Sequence, residues 1–188
     1  MPFTATRSYS YAVTELHDSD GAFGSGLAFT LGEGNDLVCR AAEFLARDLP
    51  GHDIEELMGV FGAWQRAASN EQQLRWLGPH KGVVHLALAS VTNACWDLWA
   101  RMRNVPLWQL LLDLPTDTLL STLDFSYIED VLPIAEAIAP GRVAAGEHVP
   151  NRLVFKNYFQ AKAMAFCQVD AVRVAGVSEF LVISLLAR

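Results

Sequence analysis

From residue 8 to residue 31 apolar positions alternate with small or polar ones, and Phe23, Ser25, Leu27, Phe29 and Leu31 fall on one side of an extended chain. A period of two on either side of His17-Asp18-Ser19-Asp20-Gly21 predicts two antiparallel strands joined by a polar turn. Asp18 and Asp20 are spaced as in a calcium loop, but the other ligands of such a loop are missing, so a solvated turn is the better reading. After Gly34 the period changes. Asn35 is placed to cap a helix whose inner stripe is Val38, Ala41, Leu45 and Leu49, stopped by Pro50-Gly51. Asp53, with Glu56 at the third position, caps a second helix carrying Ile54, Leu57, Met58, Phe61 and Trp64 or Gln65 inward. Val84, Leu88, Val91, Cys95, Leu98 and Met102 recur at steps of four and three, which predicts a long, nearly buried helix over 80–103. Pro106 opens a short helix through Leu107, Leu110 and Leu111.

Residues 1–115 or so therefore read as a strand pair packed on several helices, an α+β module with its own core. Residues 121–127 form a short strand-like run, and 128–139 a helix ending at Pro140-Gly141. Beyond them the grammar becomes β-α-β-α: strand 142–145, helix 151–162 with Val154, Phe155, Tyr158 and Phe159 inside, strand 166–169 and helix 178–187. Such alternation implies parallel strands with right-handed crossovers, and two such units cannot cover both faces of a parallel sheet.

Composition narrows the function classes. The chain has 188 residues, 52% hydrophobic, 19% charged and 10% aromatic, with a net charge of -7 and no long run of either sign. That is a globular protein with no expected nucleic-acid partner. The longest uncharged stretch, 82–96, is interrupted by His85, Ser90, Thr92 and Asn93 and falls short of the ~20 apolar residues of a membrane span. Cys39, Cys95 and Cys167 are odd in number and set among apolar residues, as buried reduced thiols of an intracellular protein, cytoplasmic or mitochondrial, would be. The start of the chain lacks the pattern of a secretory signal.

In a parallel α/β arrangement chemistry gathers where strands end. Glu147 follows Val143-Ala144-Ala145-Gly146, and Asp170 follows Phe166-Cys167-Gln168-Val169. On neighbouring strands ~4.8 Å apart, the two carboxylates would share one rim, suited to Mg²⁺ or proton transfer. As plain loop or helix-capping carboxylates they would look the same. His148 is better placed for chemistry than His85, which sits in the most apolar helix and reads as a hydrogen-bonded core histidine. The segment 73–79 reads as the packed start of a helix, with a ligand contact from Arg75 or Trp76 as the lesser alternative.

The run 73–86, QLRWLGPHKGVVHL, continuing through Asn93-Ala94-Cys95-Trp96-Asp97-Leu98-Trp99 to Pro106-Leu107-Trp108, resembles the capping domain of the L-fuconate dehydratases of the enolase superfamily. Phe29-Thr30-Leu31-Gly32-Glu33-Gly34-Asn35-Asp36 and Leu123-Asp124-Phe125-Ser126-Tyr127 agree with the same family. Ala145-Gly146-Glu147-His148, Asn151-Arg152-Leu153-Val154-Phe155-Lys156 and Gln168-Val169-Asp170-Ala171-Val172-Arg173 are similar to its late barrel strands and the helix between them. The resemblance implies an α+β capping domain, antiparallel strands plus a helix bundle, over 1–120, and an incomplete (β/α) barrel over 121–188, with a junction near 134–142. It implies Mg²⁺-dependent dehydration of an acid sugar such as L-fuconate, with Glu147 as a metal-binding carboxylate and Asp170 as the catalytic aspartate that orients a histidine base.

The same pattern calls for a Lys-x-Lys pair, two further metal carboxylates, and a histidine beside a Gly-Gly pair. Lys156 and Lys162 match no such pair, and the chain stops at Arg188 before a histidine strand. A closed barrel needs about 250 residues, far more than follow the cap. The expectation is a chain inactive by itself, with a homo-oligomer or a full-length family member as its possible protein partner.

Overall fold

Alternation along the first strands has a direct structural result in the computed structural model, which describes residues 9–78, 82–127, 144–147, 149–161, 164 and 166–187. Strands β1 (Ser10–His17) and β2 (Phe23–Thr30) pair antiparallel, Ser10 opposite Thr30 and His17 opposite Phe23. In the turn, Asp18 Oδ1 accepts the backbone N–H groups of Asp20 (2.9 Å) and Ala22 (2.7 Å), so this carboxylate organises the turn.

Six helices follow: α1 (Asn35–Ala46), α2 (Ile54–Gly59), α3 (Phe61–Ser69), α4 (Val83–Met102), α5 (Leu107–Asp113) and α6 (Thr116–Ser121). Asp53 caps α2 as expected, accepting from the N–H groups of Glu55 (2.8 Å) and Glu56 (3.2 Å). Asn35 does not cap α1. Gly34 holds the cap position, and the Asn35 amide instead reaches back to Thr30 Oγ1 (2.9 Å) and the Tyr11 carbonyl (3.2 Å), tying the helix to the hairpin. The helix expected from Asp53 onward is two helices, because Val60 leaves the helical region at φ -122° and ψ 18°. Over 73–78 the chain is one 3-10 turn, Arg75–Leu77, in place of a helix start; Leu74 and Leu77 pack on the core as expected, but Trp76 is exposed, its Nε1 donating to the Gln73 carbonyl at 3.0 Å.

Helix α4 is the axis of the core. Val84, Leu88, Val91, Cys95, Trp96 and Trp99 are buried along it, and the Trp96 ring meets Phe61 edge-on at 6.2 Å and Trp99 at 5.5 Å. Each such side chain contributes about 1.5–3 kcal/mol by leaving water. The hairpin lies flat on α4, where a Cβ on Gly26 would fall 1.9 Å from the Ser90 carbonyl oxygen. Polar contacts fix that approach: the Thr14 and Ser90 hydroxyls bond at 2.8 Å, and Asp97 Oδ2 accepts from the Ser25 N–H and from Arg101 Nε, each at 2.8 Å.

No strand forms over the described residues of 121–127; α6 ends there and the chain turns through Asp124. Without a neighbouring strand to accept its backbone, the segment is held by side chains. The helix expected over 128–139, the junction at 134–142, His148 and Lys162 lie outside the described residues. Beyond them, β3 (Ala144–Ala145), α7 (Arg152–Gln160), β4 (Phe166–Cys167) and α8 (Val177–Leu186) follow in β-α-β-α order, and β3 and β4 are parallel. The strands are shorter than expected, and Phe166 and Tyr158 face solvent, whereas Phe155 and Phe159 are buried.

A second apolar cluster, Leu123, Phe155, Phe159, Met164, Val174, Val182, Ile183 and Leu186, joins the first through α8. Thr92 Oγ1 donates to the Ala175 carbonyl, Trp96 Nε1 to Ser178 Oγ, and the Val177 N–H to Asn93 Oδ1, all at 3.0 Å. Gly176, at φ 88°, allows this fit, since a Cβ there would lie 2.1 Å from Thr92 Oγ1. All three cysteines are free, but only Cys95 is fully buried, and burial pushes its thiol up to about 12. Among the described residues no helix is long and apolar enough to cross a membrane.

Candidate functional site

Parallel pairing brings the two predicted carboxylates to the same end of two adjacent strands. Ala145 lies opposite Cys167, Glu147 follows two residues beyond Ala145, and Asp170 three beyond Cys167. Glu147 is exposed and Asp170 half-buried. Asp170 shapes its own turn: Oδ1 accepts the Val172 N–H (2.9 Å), its carbonyl accepts the N–H groups of Arg173 and Val174 (3.0 Å each), and Oδ2 pairs with Arg173 Nε at 3.3 Å. Arg173 in turn lies over the Phe29 ring, 5.6 Å from its centre, so this rim touches the outer face of the hairpin.

Mg²⁺ prefers near-octahedral oxygen coordination, built on carboxylates supplemented by water. Among the described residues no group of three or more His, Cys, Asp or Glu is gathered to hold a metal ion. Glu147 offers one exposed carboxylate, and Asp170 is engaged by a backbone N–H and an arginine. The described residues do not fit the ion.

The strongest electrostatic feature is elsewhere, at the start of α7. Arg152, buried, donates from Nη2 to Asp124 Oδ2 (2.5 Å) and from Nη1 to Glu179 Oε2 (2.6 Å), while its backbone N–H donates to Glu179 Oε1 (2.8 Å). A carboxylate at an uncapped N–H of a first helical turn also meets the positive end of the helix dipole. Ser126 adds its hydroxyl to Asp124 and accepts from Arg152, and Arg66 of α3 donates to Asp124 Oδ1 at 2.9 Å. Burial pushes the Asp124 carboxyl up, but the Ser126 hydrogen bonds and the Arg152 charge outweigh it and leave the group below its ordinary value. For Arg152, burial lowers the value and the charges of Glu179 and Asp124 more than restore it. Both carboxylates are thus committed to an arginine and are poor candidates for metal or proton chemistry.

Sequence reasoning assigned Asp124, Arg152 and Glu179 no role. The available signal was a lone charge inside an uncharged, mostly apolar run: Asp124 between Leu123 and Phe125, and Glu179 as the one charge in 177–187. Charged residues in such settings are almost never buried unless paired. His85 is buried in α4, beside this network and away from the strand ends.

Comparison with known proteins places this architecture. Residues 1–111 match the family described as Mandelate racemase / muconate lactonizing enzyme, N-terminal domain, and residues 119–188 match Enolase C-terminal domain-like. The chain belongs to the enolase superfamily. It carries the superfamily's N-terminal α+β capping domain and a partial C-terminal domain. Human Mitochondrial enolase superfamily member 1 is 44% identical over 131 residues, 70% of this enolase-superfamily chain and 30% of the human protein. L-galactonate dehydratase of Hypocrea jecorina is 42% identical over 135 residues, 72% of this chain and 30% of the fungal protein. The crystal structure of the human protein aligns with a TM-score of 0.80 at 22% identity, covering 96% of this chain and 77% of that chain. L-talarate dehydratase from Polaromonas, complexed with Mg and L-glucarate, aligns with a TM-score of 0.64 at 16% identity, covering 95% of this chain and 72% of that chain. At these identities the structural matches establish the fold alone. By sequence, the superfamily chain spans about three tenths of the length of the curated relatives it matches.

Proposed function

We propose that this chain derives from a Mg²⁺-dependent dehydratase of L-fuconate or a related acid sugar, and that in this form it performs no dehydration by itself. The observation that supports the reading is the strand-end rim: Glu147 and Asp170 follow the paired strands β3 and β4, and no ligand set converges on them among the described residues. In this reading Glu147 is a metal carboxylate and Asp170 an orienting aspartate left without their partners. In the parent family Mg²⁺, when bound, would supply positive charge against the substrate carboxylate while a base takes the α-proton, and the β-hydroxyl would leave as water only with a proton from a general acid. The lysines here are Lys81, Lys156 and Lys162, none spaced as Lys-x-Lys. Lys156 lies on α7 and donates to the Tyr127 carbonyl at 3.1 Å.

We place the cap at 1–120 and a partial β/α barrel at 121–188, with barrel residues lost near 134–142. Supporting this are the parallel β3–β4 pair, the two family matches, and the reach of the structural alignment. The 188 residues of this chain are fewer than half of a protein of which 131 residues make 30%, so an alignment that reaches across 77% of it steps over a long internal stretch. An intracellular location, cytoplasmic or mitochondrial, is supported by the free cysteines and by the relative's name.

The test adds L-fuconate, L-galactonate or galactarate with Mg²⁺ to the purified chain and measures 2-keto-3-deoxy acid against a buffer control. No product above the control is expected, and product formation would overturn the inactivity. A second reading, a non-catalytic interaction module, is favoured by Tyr9, Tyr11, Val13, Leu27 and Leu31, which expose apolar surface on the hairpin. Co-expression with an intact family member followed by size exclusion tests it, and a chain that elutes alone as a monomer counts against it.

A further inference from the structure

Helices α3, α4, α7 and α8 meet around a small cavity of about 10 Å³ lined by Gln65, Ser69, His85, Asn151, Arg152 and Glu179 among others. Gln65 is only 2% exposed, and its Oε1 has no hydrogen-bond partner among the described residues. A buried amide oxygen left without a donor is destabilising, so a donor that fits this space would be held there. The lining selects its chemistry. Arg152 beside the cavity disfavours a cation, Glu179 disfavours an anion, and the volume is close to the ~10–15 Å³ that one water molecule requires.

We propose that this cavity is a binding site for one water molecule, which donates to Gln65 Oε1 and joins the cap to the C-terminal segment. The neighbours supply its remaining bonds. Arg152 spends Nε on the Ser126 carbonyl, Nη2 on Asp124 and Ser126, and one Nη1 hydrogen on Glu179, which leaves its other Nη1 hydrogen as a donor. Each Glu179 oxygen accepts one bond from Arg152 and retains a lone pair for the second water hydrogen. Ser69 Oγ, which donates to the Arg66 carbonyl at 3.1 Å, offers a further acceptor.

Two measurements decide the matter on the full chain. A crystal structure should show a solvent peak within hydrogen-bonding distance of Gln65 Oε1; a dry cavity, or a side-chain donor seated on that oxygen, overturns the proposal. Water-oxygen magnetic relaxation dispersion counts long-lived internal waters in solution, and Gln65→Met, whose side chain has similar length without the acceptor, should lose the contribution of one. An unchanged amplitude in a folded Gln65→Met protein also overturns it, and if that variant does not fold the crystal structure of the unaltered chain decides alone.

Discussion

Replacing Arg152 by methionine keeps much of its length and removes its charge, and the cost follows from what it leaves behind. The side chains of Asp124 and Glu179 are only 2% and 3% exposed, and Arg152 itself 9%. Breaking a buried pair by deleting one partner costs about 3–5 kcal/mol, because the remaining charge stays in a poorly solvating site. For a domain of this size each kcal/mol moves the melting temperature by about 2–4 °C, so Arg152→Met should melt roughly 6–20 °C below the parent. Arg66, on an exposed side chain, contributes too little to hold Asp124 alone. The pH dependence carries a sign. The folded Asp124 carboxyl lies below its ordinary value, so its stabilisation is present above that ordinary value and is lost as pH falls through the folded one. In Arg152→Met, burial, the largest influence, acts against only the Ser126 bonds and Arg66. The carboxyl then becomes easier to protonate, and the deficit should narrow as the solution is acidified. Circular-dichroism melts at neutral and acidic pH measure both effects. A loss of less than about 1 kcal/mol at neutral pH, the scale of an exposed pair, or a deficit that grows with acid, would refute the reasoning.

Three further outcomes are expected. Gly26→Ala drives a Cβ into the Ser90 carbonyl oxygen and should cost about 3 kcal/mol or more, and a melting temperature within error of the parent would remove the close approach from the account. Cys95, with its thiol pushed up to about 12, should resist thiol reagents in the native chain while Cys39 reacts first; equal labelling rates would contradict that burial. Glu55, bridged by Arg103 at 2.6 and 2.7 Å, should titrate by NMR below its ordinary value, chiefly through those hydrogen bonds, and Arg103→Ala should return it toward that value with a stability change under about 1 kcal/mol.

The hairpin and α4 were legible because their signals are local. Period two places Leu27 and Phe29 on one face, and steps of three and four place Leu88, Val91 and Cys95 on another. Asp53 was legible as a cap for the same reason, since its partners are two and three residues away. Glu147 and Asp170 were legible as strand-end carboxylates because a β-α-β unit leaves little freedom in where its strands end. The break at Val60 was hidden, since Phe61 and Gln65 are buried and keep the helical phase across it. Asn35 misled because a good cap residue can bond to the hairpin instead. The Arg152 network was out of reach for a different reason: its carboxylates stand 27 and 28 positions away, and periodicity carries no register between such segments.

The seam between α4 and α8 joins residues 83 positions apart at Thr92 and Ala175. During synthesis the residues of α4 emerge before their partners, and Thr92, Asn93 and Trp96 wait until residues 175–178 have been made. Closing that distance costs only ~0.6 kcal/mol more than closing half of it, so the delay is one of order and not of energy. A nascent chain therefore presents one flank of α4, its long central helix, until residues 175–178 have emerged, and that interval is when a chaperone would meet it.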